Sequence, residues 1–322
     1  MSIIETKNLT KKYNKLLAVD NLNLNIEEGE IFGLLGPNGA GKTTTLMMLN
    51  TLRKPTSGSA KVNGFDVVKE SDKVRKSIGI VFQDPSSDDI LTGYENLKLH
   101  GMLYQMPSAL REKRIKEVLK LVDLTGRAND LIKKYSGGMR RRLELARGLM
   151  HHPKVLFLDE PTLGLDPQSR EVIWKYIQDM ARKEHMTIII TTHYMEEAEK
   201  LCSRVAIIDD GKIVAMDSPD NLKHVIGGDV ITLTVKNYNV KKLKGMKFIR
   251  KIERKNGQLV LAVKDANKNI SKILCKLGQV DYVDIHTPTL NDVFLHYTGK
   301  EIRDDSPEGG WAQRIINARS RK

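Results

Sequence analysis

Several features that would decide a protein's class quickly are missing from this sequence. Cysteine is almost absent. Cys202 and Cys275 are the only two in 322 residues, and they form no metal-spaced pair. A disulfide framework and a thiolate metal site are thereby excluded, and the count suits a reducing cytosol with both thiols buried. No run approaches the ~18 apolar residues of a membrane-spanning helix. The N-terminus, MSIIETKNLT, lacks a basic start followed by an apolar stretch, so no secretory signal is expected. No internal repeat or low-complexity tract is visible. Acidic residues are in deficit, 40 against 53 Lys+Arg, for a formal net charge of +13. Much of that excess sits in residues 241–276, where twelve Lys/Arg face only Glu253 and Asp265. Such a segment suits an anionic membrane surface, nucleic acid or an acidic partner, and equally a plain solvated face.

What is present is an alternation. At roughly 150 residues per domain the length predicts about two domains. Residues 3–9 and 22–26 read as half-buried strands, the second because Leu22, Leu24 and Ile26 alternate with Asn23 and Asn25. Continuous apolar runs at 31–35 (IFGLL), 78–82 (IGIVF), 155–158 (VLFL) and 187–191 (TIIIT) read as strands buried on both faces. Helical patterns lie at 95–105, 109–122, 138–150 and 167–183. Strands alternating with helices predict an α/β fold with a mostly parallel sheet flanked by helices. RVAIIDDGKIVAM, 204–216, predicts a hairpin, since Asp210-Gly211 suits a type I′ turn. Beyond Gly227-Gly228 the pattern changes to strands at 231–235 and 258–263, the latter paired through Asn256-Gly257, a helix at 266–277 and a strand at 281–285. That describes a small α+β domain. Domain limits of 1–226 and 228–300 follow, with 301–322 as a flexible basic tail that holds a short helix near 311–319.

The chemistry begins at GPNGAGKT, 36–43, which fits G-x-x-x-x-G-K-[ST] between a buried strand and a helical pattern. Gly36, Gly39 and Gly41 let the backbone curl so that N–H groups converge on a phosphate, and the helix N-terminus adds positive partial charge. Lys42 brings an ammonium to the β- and γ-phosphates. The Thr43 hydroxyl suits Mg²⁺, and Thr44 suits an α-phosphate oxygen. VLFLDE, 155–160, brings two carboxylates to a strand's C-terminal edge, where ligands of open α/β sheets bind. Asp159 would hold Mg²⁺, and Glu160 would polarise the attacking water. His193, after TIIITT, would reach the same edge, bond the γ-phosphate and orient the water. Gln83, after IGIVF, would touch the metal.

The order GPNGAGKTT, Gln83, YSGGM, VLFLDEPTLGLD, His193 closely resembles the nucleotide-binding subunit of ATP-binding cassette (ABC) transporters over residues 1–225. The resemblance implies a P-loop NTPase fold with an antiparallel β subdomain and a helical signature subdomain. It implies that Tyr13 stacks on adenine, and that Gly36, Pro37, Asn38, Gly39, Ala40, Gly41, Lys42, Thr43 and Thr44 bind ATP. Gln83 becomes the glutamine that couples the Mg²⁺ site to a membrane partner. Thr43, Gln83 and Asp159 become the metal set, and Glu160, His193 and Lys42 the catalytic set. Ser136, Gly137 and Gly138 become the signature that closes the site of a second subunit, and Asp166 lies in the loop that crosses to it. Met139 stands where the commonest signature has glutamine. VDIHTPTLNDVFLHYTG, 283–299, resembles the ending of the drug-resistance (daunorubicin-type) branch. That branch implies an ABC-2-type export permease as a separate membrane partner, and a peripheral place on the cytoplasmic face of the membrane. Leu91, Tyr94 and Leu97 would dock such a permease or serve the core.

Residues 135–147, YSGGMRRRLELAR, test the nucleic-acid alternative. At ~100° per residue Arg140, Arg141 and Arg142 spread over about 200° of a helix and form no single reading face. Pairing with acidic neighbours or nucleotide-facing loops suits them better. A soluble cassette ATPase on ribosomes or DNA is the competing reading, but such relatives carry two cassettes or a long coiled coil. An ATP-binding scaffold without catalysis conflicts with the full set of Glu160, His193 and Gln83.

Overall fold

The computed structural model describes residues 2–225, 228–235, 243, 245–255, 258–278 and 280–299. They fall into two compact units, the second beginning at Asp217. The first unit opens with β1 (Ser2–Tyr13), β2 (Leu16–Leu22), β3 (Asn25–Glu27) and β4 (Ile31–Leu35), followed by α1 (Lys42–Leu49). Next come β5 (Ser57–Val62), β6 (Phe65–Asp66), α2 (Ser71–Ser77) and β7 (Ile78–Val81). The helical stretch is α3 (Gly93–Leu103), α4 (Ser108–Leu121) and α5 (Gly137–Gly148). The chain then returns through β8 (Val155–Asp159), α6 (Pro167–Lys183), β9 (Thr187–Thr192), α7 (Met195–Leu201), β10 (Arg204–Asp209) and β11 (Lys212–Asp217).

Two sheets result. A six-stranded sheet runs β11-β10-β4-β9-β8-β7, and β10, β4, β9, β8 and β7 are mutually parallel. Every residue of β8 and β9 is buried, as expected of strands covered on both faces. An antiparallel sheet forms from β1, β2, β3, β5 and β6. Helix α6 shows why its sequence folds as it does. Asp166 caps it by accepting from Ser169 N at 3.0 Å, Pro167 opens it, and Ile173, Trp174, Ile177 and Met180 bury one stripe. Asp210 (φ 45°) and Gly211 (φ 79°) make the predicted β10–β11 turn.

Two expectations change. The strand read at 22–26 is broken, because the Thr6 hydroxyl donates to Leu22 O (2.9 Å) and accepts from Leu24 N (2.7 Å) in place of a ladder. Cys275 is exposed on a helix face, whereas Cys202 is buried as expected. Of the two roles open to Leu97, docking and core, its full burial selects the core. The apolar surface of this region is instead Ile90, Leu99, Met102 and Leu103, and Leu103 is 72% exposed.

The second unit contains α8 (Pro219–Val225), β12 (Asp229–Thr234), β13 (Ile249–Lys255), β14 (Gln258–Val263), α9 (Ala266–Leu277), β15 (Tyr282–His286) and α10 (Leu290–Thr298). Its antiparallel sheet, ordered β13-β14-β12-β15, shares a core with α9 built on Ile231, Leu233, Leu259, Leu261 and Ile273. Lys247, Arg250, Lys251, Arg254, Lys264, Lys268, Lys272 and Lys276 are all exposed. The Asn256-Gly257 turn, Lys241, Lys242 and Lys244, and the tail 301–322 lie outside the described residues. Among the described residues no helix is long and apolar enough to cross a membrane.

The first unit also carries a pH-sensitive cluster. The Tyr104 and His151 rings stack with centroids 3.7 Å apart, and His100 lies 5.1 Å from Tyr104. His151 Nε2 donates to Ile78 O at 2.8 Å, which leaves Nδ1 without a partner in the neutral ring. Burial, with Arg147 nearby, lowers His100 to about 4, and burial lowers His151 to about 4 despite its bond to Ile78. Both folded values lie below the ordinary 6.5, so the fold favours neutral rings. Their contribution is intact above about pH 6.5 and lost as pH falls toward 4, at roughly 1–2 kcal/mol per ring. His151→Phe should therefore flatten the fall of the urea midpoint between pH 7 and pH 4.5. Parallel curves for the variant and the parent would count against this.

Candidate functional site

Strand β4 delivers the phosphate loop at the C-terminal edge of the parallel sheet, beside β9 and β10. The loop needs its glycines for space as well as for curvature. A Cβ on Gly36 would meet Ile208 O at 2.2 Å, and one on Gly41 (φ 102°) would meet Ala18 O at 2.4 Å. Lys42, only 4% exposed, donates to Gly36 O (2.7 Å) and Pro37 O (3.1 Å), and its ammonium lies 3.3 Å from Glu160 Oε1. Burial lowers the Lys42 pKa, and Glu160 and Asp159 oppose that shift.

Strands β8 and β9 bring the acids to the same edge. Thr43 Oγ1 donates to Asp159 Oδ1 at 3.1 Å, and Thr191 Oγ1 donates to the same oxygen. Glu160 follows in the left-handed region (φ 45°), with its N–H donating to Thr191 O (3.1 Å) and Thr191 Oγ1 (3.0 Å). That backbone conformation costs an L-residue ~1–2 kcal/mol, and such strain gathers at functional sites. His193 Nδ1 sits 3.3 Å from Glu160 Oε1, an ion-pair distance without the alignment of a hydrogen bond. Burial alone would raise the Glu160 pKa, but His193 and Lys42 outweigh it and hold the carboxyl below its usual range. Glu160 is therefore ionised at neutral pH, as a general base must be.

The donor set fits a hard cation. Neighbouring oxygens of a Mg²⁺ octahedron lie about 2.9 Å apart at bonds of 2.0–2.1 Å. Thr43 Oγ1 and Asp159 Oδ1 stand at 3.1 Å. Thr43 and Asp159 offer two oxygens, so an ion held there would keep phosphate and water among its remaining ligands.

Lys42, Thr43, Asp159, Glu160 and His193 are thus brought together. Tyr13 and Gln83 are each exposed. Tyr13 ends β1 with the Lys11 ammonium 5.1 Å from its ring centre, and Gln83 lies in the turn after β7. Asp166 spends its carboxylate on the α6 cap, and Ser169 bonds hold its pKa low. Ser136 caps α5 by accepting from Met139 N at 3.3 Å. Ser136 and Gly138 line a groove of about 650 Å³ with Met139, Arg142, Gln168 and Ser169. The arginines after the signature are occupied, as expected. Arg140 pairs with Asp89 (2.6 Å), Arg141 donates to backbone carbonyls, and Arg142 donates to Val122 O and Asp123 O, each 3.2 Å away. Sequence reasoning missed Thr191, which holds both acids in place. Its only signal was a polar residue at the end of an apolar run.

A family model described as ABC transporter matches residues 19–163. A second, the C-terminal domain of DrrA1-3-like ATP-binding proteins, matches 218–298. The chain is 36% identical over 312 residues to the linearmycin resistance ATP-binding protein LnrL of Bacillus subtilis, covering 94% of this chain and 100% of that protein. It is 38% identical over 314 residues to the daunorubicin/doxorubicin resistance ATP-binding protein DrrA of Streptomyces peucetius, covering 95% of each. The dimeric, post-hydrolysis structure of the ATP-binding cassette MJ0796 with ADP and Pi superposes with a TM-score of 0.61 at 31% identity. It covers 67% of this chain and 98% of that one.

Proposed function

Because this chain belongs to the ATP-binding proteins of ABC transporters, in the branch with a DrrA-like C-terminal domain, we propose that it is one of two ATPase subunits driving an ABC-2-type export permease. It is an ATPase. Loop amides and Lys42 hold the β- and γ-phosphates. Thr43 and Asp159 would hold Mg²⁺, with Gln83 joining them, and the ion would neutralise phosphate charge. Glu160, kept ionised, takes a proton from the attacking water, and His193 fixes the water and the γ-phosphate. Tyr13 stacks on the adenine.

One observation carries the two-subunit reading. A Cβ on Gly137 would come no closer than 3.9 Å to another group, and one on Gly138 no closer than 3.6 Å. Neither glycine has a positive φ. Glycine is a poor helix former, and neither position uses its conformational freedom here. No described neighbour crowds either position, which leaves this helix terminus open to a phosphate held by a second copy. Asp166 then lies in the loop that crosses to that copy. The related cassette that is dimeric with ADP and Pi supports the same arrangement.

The exposed Ile90, Leu99, Met102 and Leu103 give the permease an apolar seat. The relatives' names speak of resistance to linearmycin and to daunorubicin and doxorubicin, which supports export of drugs, lipids or other hydrophobic compounds. The exposed lysines of the C-terminal unit would lie against the anionic inner leaflet, with the chain peripheral on the cytoplasmic face. Action on nucleic acid is disfavoured, since Arg140, Arg141 and Arg142 are all engaged within the chain. One flotation experiment tests both membrane contacts. Vesicles carrying the cognate permease should retain the most chain, protein-free anionic vesicles less, and neutral ones none. Equal retention with and without permease would remove the transporter reading, and equal retention on anionic and neutral lipid would remove the leaflet contact.

A further inference from the structure

The segment that carries Gln83, residues 82–89, is held by four side chains of one helix, among them Arg147, which donates to Ser86 Oγ at 2.9 Å and pairs with Glu144 at 3.0 Å. From α5, Arg140 reaches Asp89 at 2.6 Å. Arg141 donates from Nη1 to Phe82 O, the carbonyl directly before Gln83. Glu144 accepts from Ser87 N (2.9 Å), Ser86 N (3.2 Å) and Ser86 Oγ (3.1 Å), just beyond it. Both ends of the Gln83 turn are therefore clasped, and positions 140, 141 and 144 lie on one side of a 3.6-residue helix.

Arg141 reaches further. Its Nε donates to Pro161 O and its Nη2 to Asp159 O at 3.2 Å, the carbonyls on either side of Glu160. One planar fork thus joins the signature helix, the Gln83 turn and the strand end that carries both acids. Arg141 is 6% exposed and Glu144 is 4% exposed. Burial lowers Arg141 to about 10, which leaves it charged at neutral pH. The helix does not need these charges to stay seated, since Leu143, Leu145 and Ala146 are fully buried beside them. Buried ionic groups are a poor source of stability and a better source of geometric specification.

We propose that Arg141 and Glu144 are positioning residues that fix Gln83 relative to the Asp159–Glu160 edge, so that displacing the signature helix displaces Gln83 with it. This rests on reading Gln83 as the glutamine that reaches the Mg²⁺ of bound MgATP. A nucleotide held against Ser136 would then be sensed at Gln83 through side chains that touch neither ATP nor metal.

The test is ATPase activity of the full chain against Mg²⁺ concentration at fixed ATP, with thermal midpoints recorded alongside. Gln83→Ala should raise the Mg²⁺ half-saturation by about tenfold. Glu144→Gln and Arg141→Lys should each raise it by at least about threefold, because a single ammonium nitrogen cannot span carbonyls reached by three nitrogens of a planar fork, and glutamine offers one acceptor oxygen. Gln83→Ala/Glu144→Gln should be no worse than Gln83→Ala alone, the non-additivity of parts acting through one group. If Arg141→Lys fails to fold, Glu144→Gln and the double variant carry the comparison. Should Gln83→Ala shift the half-saturation while the clasp variants lower only kcat or the thermal midpoint, the residues are merely structural and the inference falls. Additive effects in the double variant would overturn it equally. An unchanged half-saturation in Gln83→Ala would instead remove the reading of Gln83, and the inference with it.

Discussion

Glu160→Gln should bind MgATP, hydrolyse it at least about a hundredfold more slowly than the parent, and accumulate as a dimer. The substitution keeps shape and removes one charge. Glu160 Oε1 stands 3.3 Å from both Lys42 Nζ and His193 Nδ1, so it is the one anion those two groups share. A neutral amide there cannot take a proton from water. It also leaves the buried Lys42 ammonium with less to oppose its desolvation. Binding should survive, because the loop amides and the Lys42 contacts to Gly36 O and Pro37 O do not involve residue 160. Light scattering in saturating MgATP should report twice the monomer mass. A monomer, or turnover near the parental rate, would contradict the role given to Glu160.

Much of this site is legible in the sequence because its chemistry is tied to local residues. A phosphate loop needs glycines where carbonyls such as Ile208 O and Ala18 O come within 2.2–2.4 Å of where a Cβ would be, and no other residue leaves that space. Buried strands ending in acids, as β8 does, also announce themselves. What stayed hidden depends on partners distant in sequence. Strand β1 reads as seven residues but runs for twelve, since its polar second half is paired by β2 and β5 through shifts in register. Thr191 looks like one more β-branched residue until β8 lies beside β9 and sets its hydroxyl against Asp159. Three adjacent arginines look like a basic face, and only the folded chain shows three separate sets of acceptors. Cys275 shows the limit of composition, because a count of two cysteines says nothing about which helix face each one takes.

The proposal that the pocket is shared between two copies makes a sharper prediction. Lys42→Ala and Ser136→Arg should each be inactive alone, and a mixture of the two should recover activity. Lys42→Ala removes the ammonium at the centre of the phosphate loop, whose glycines and helix terminus remain. Ser136 is exposed, so an arginine there sacrifices only the cap to Met139 N, about 1 kcal/mol, and leaves the core intact. Its long side chain would instead fill the space into which a partner's γ-phosphate must come. In a symmetric dimer each chain offers its loop to one site and its signature to the other. A mixed dimer therefore has one site with Lys42 from one chain and Ser136 from its twin, both native, and one site with both defects. Random pairing of equal amounts makes half the dimers mixed, each with one working site of two. Independent sites would thus restore roughly a quarter of the parental rate, and strict coupling between sites would restore less. Were phosphate loop and signature to act on the same nucleotide within one chain, no mixture could assemble an intact pair. Turnover would then stay at the background of the single variants at every mixing ratio.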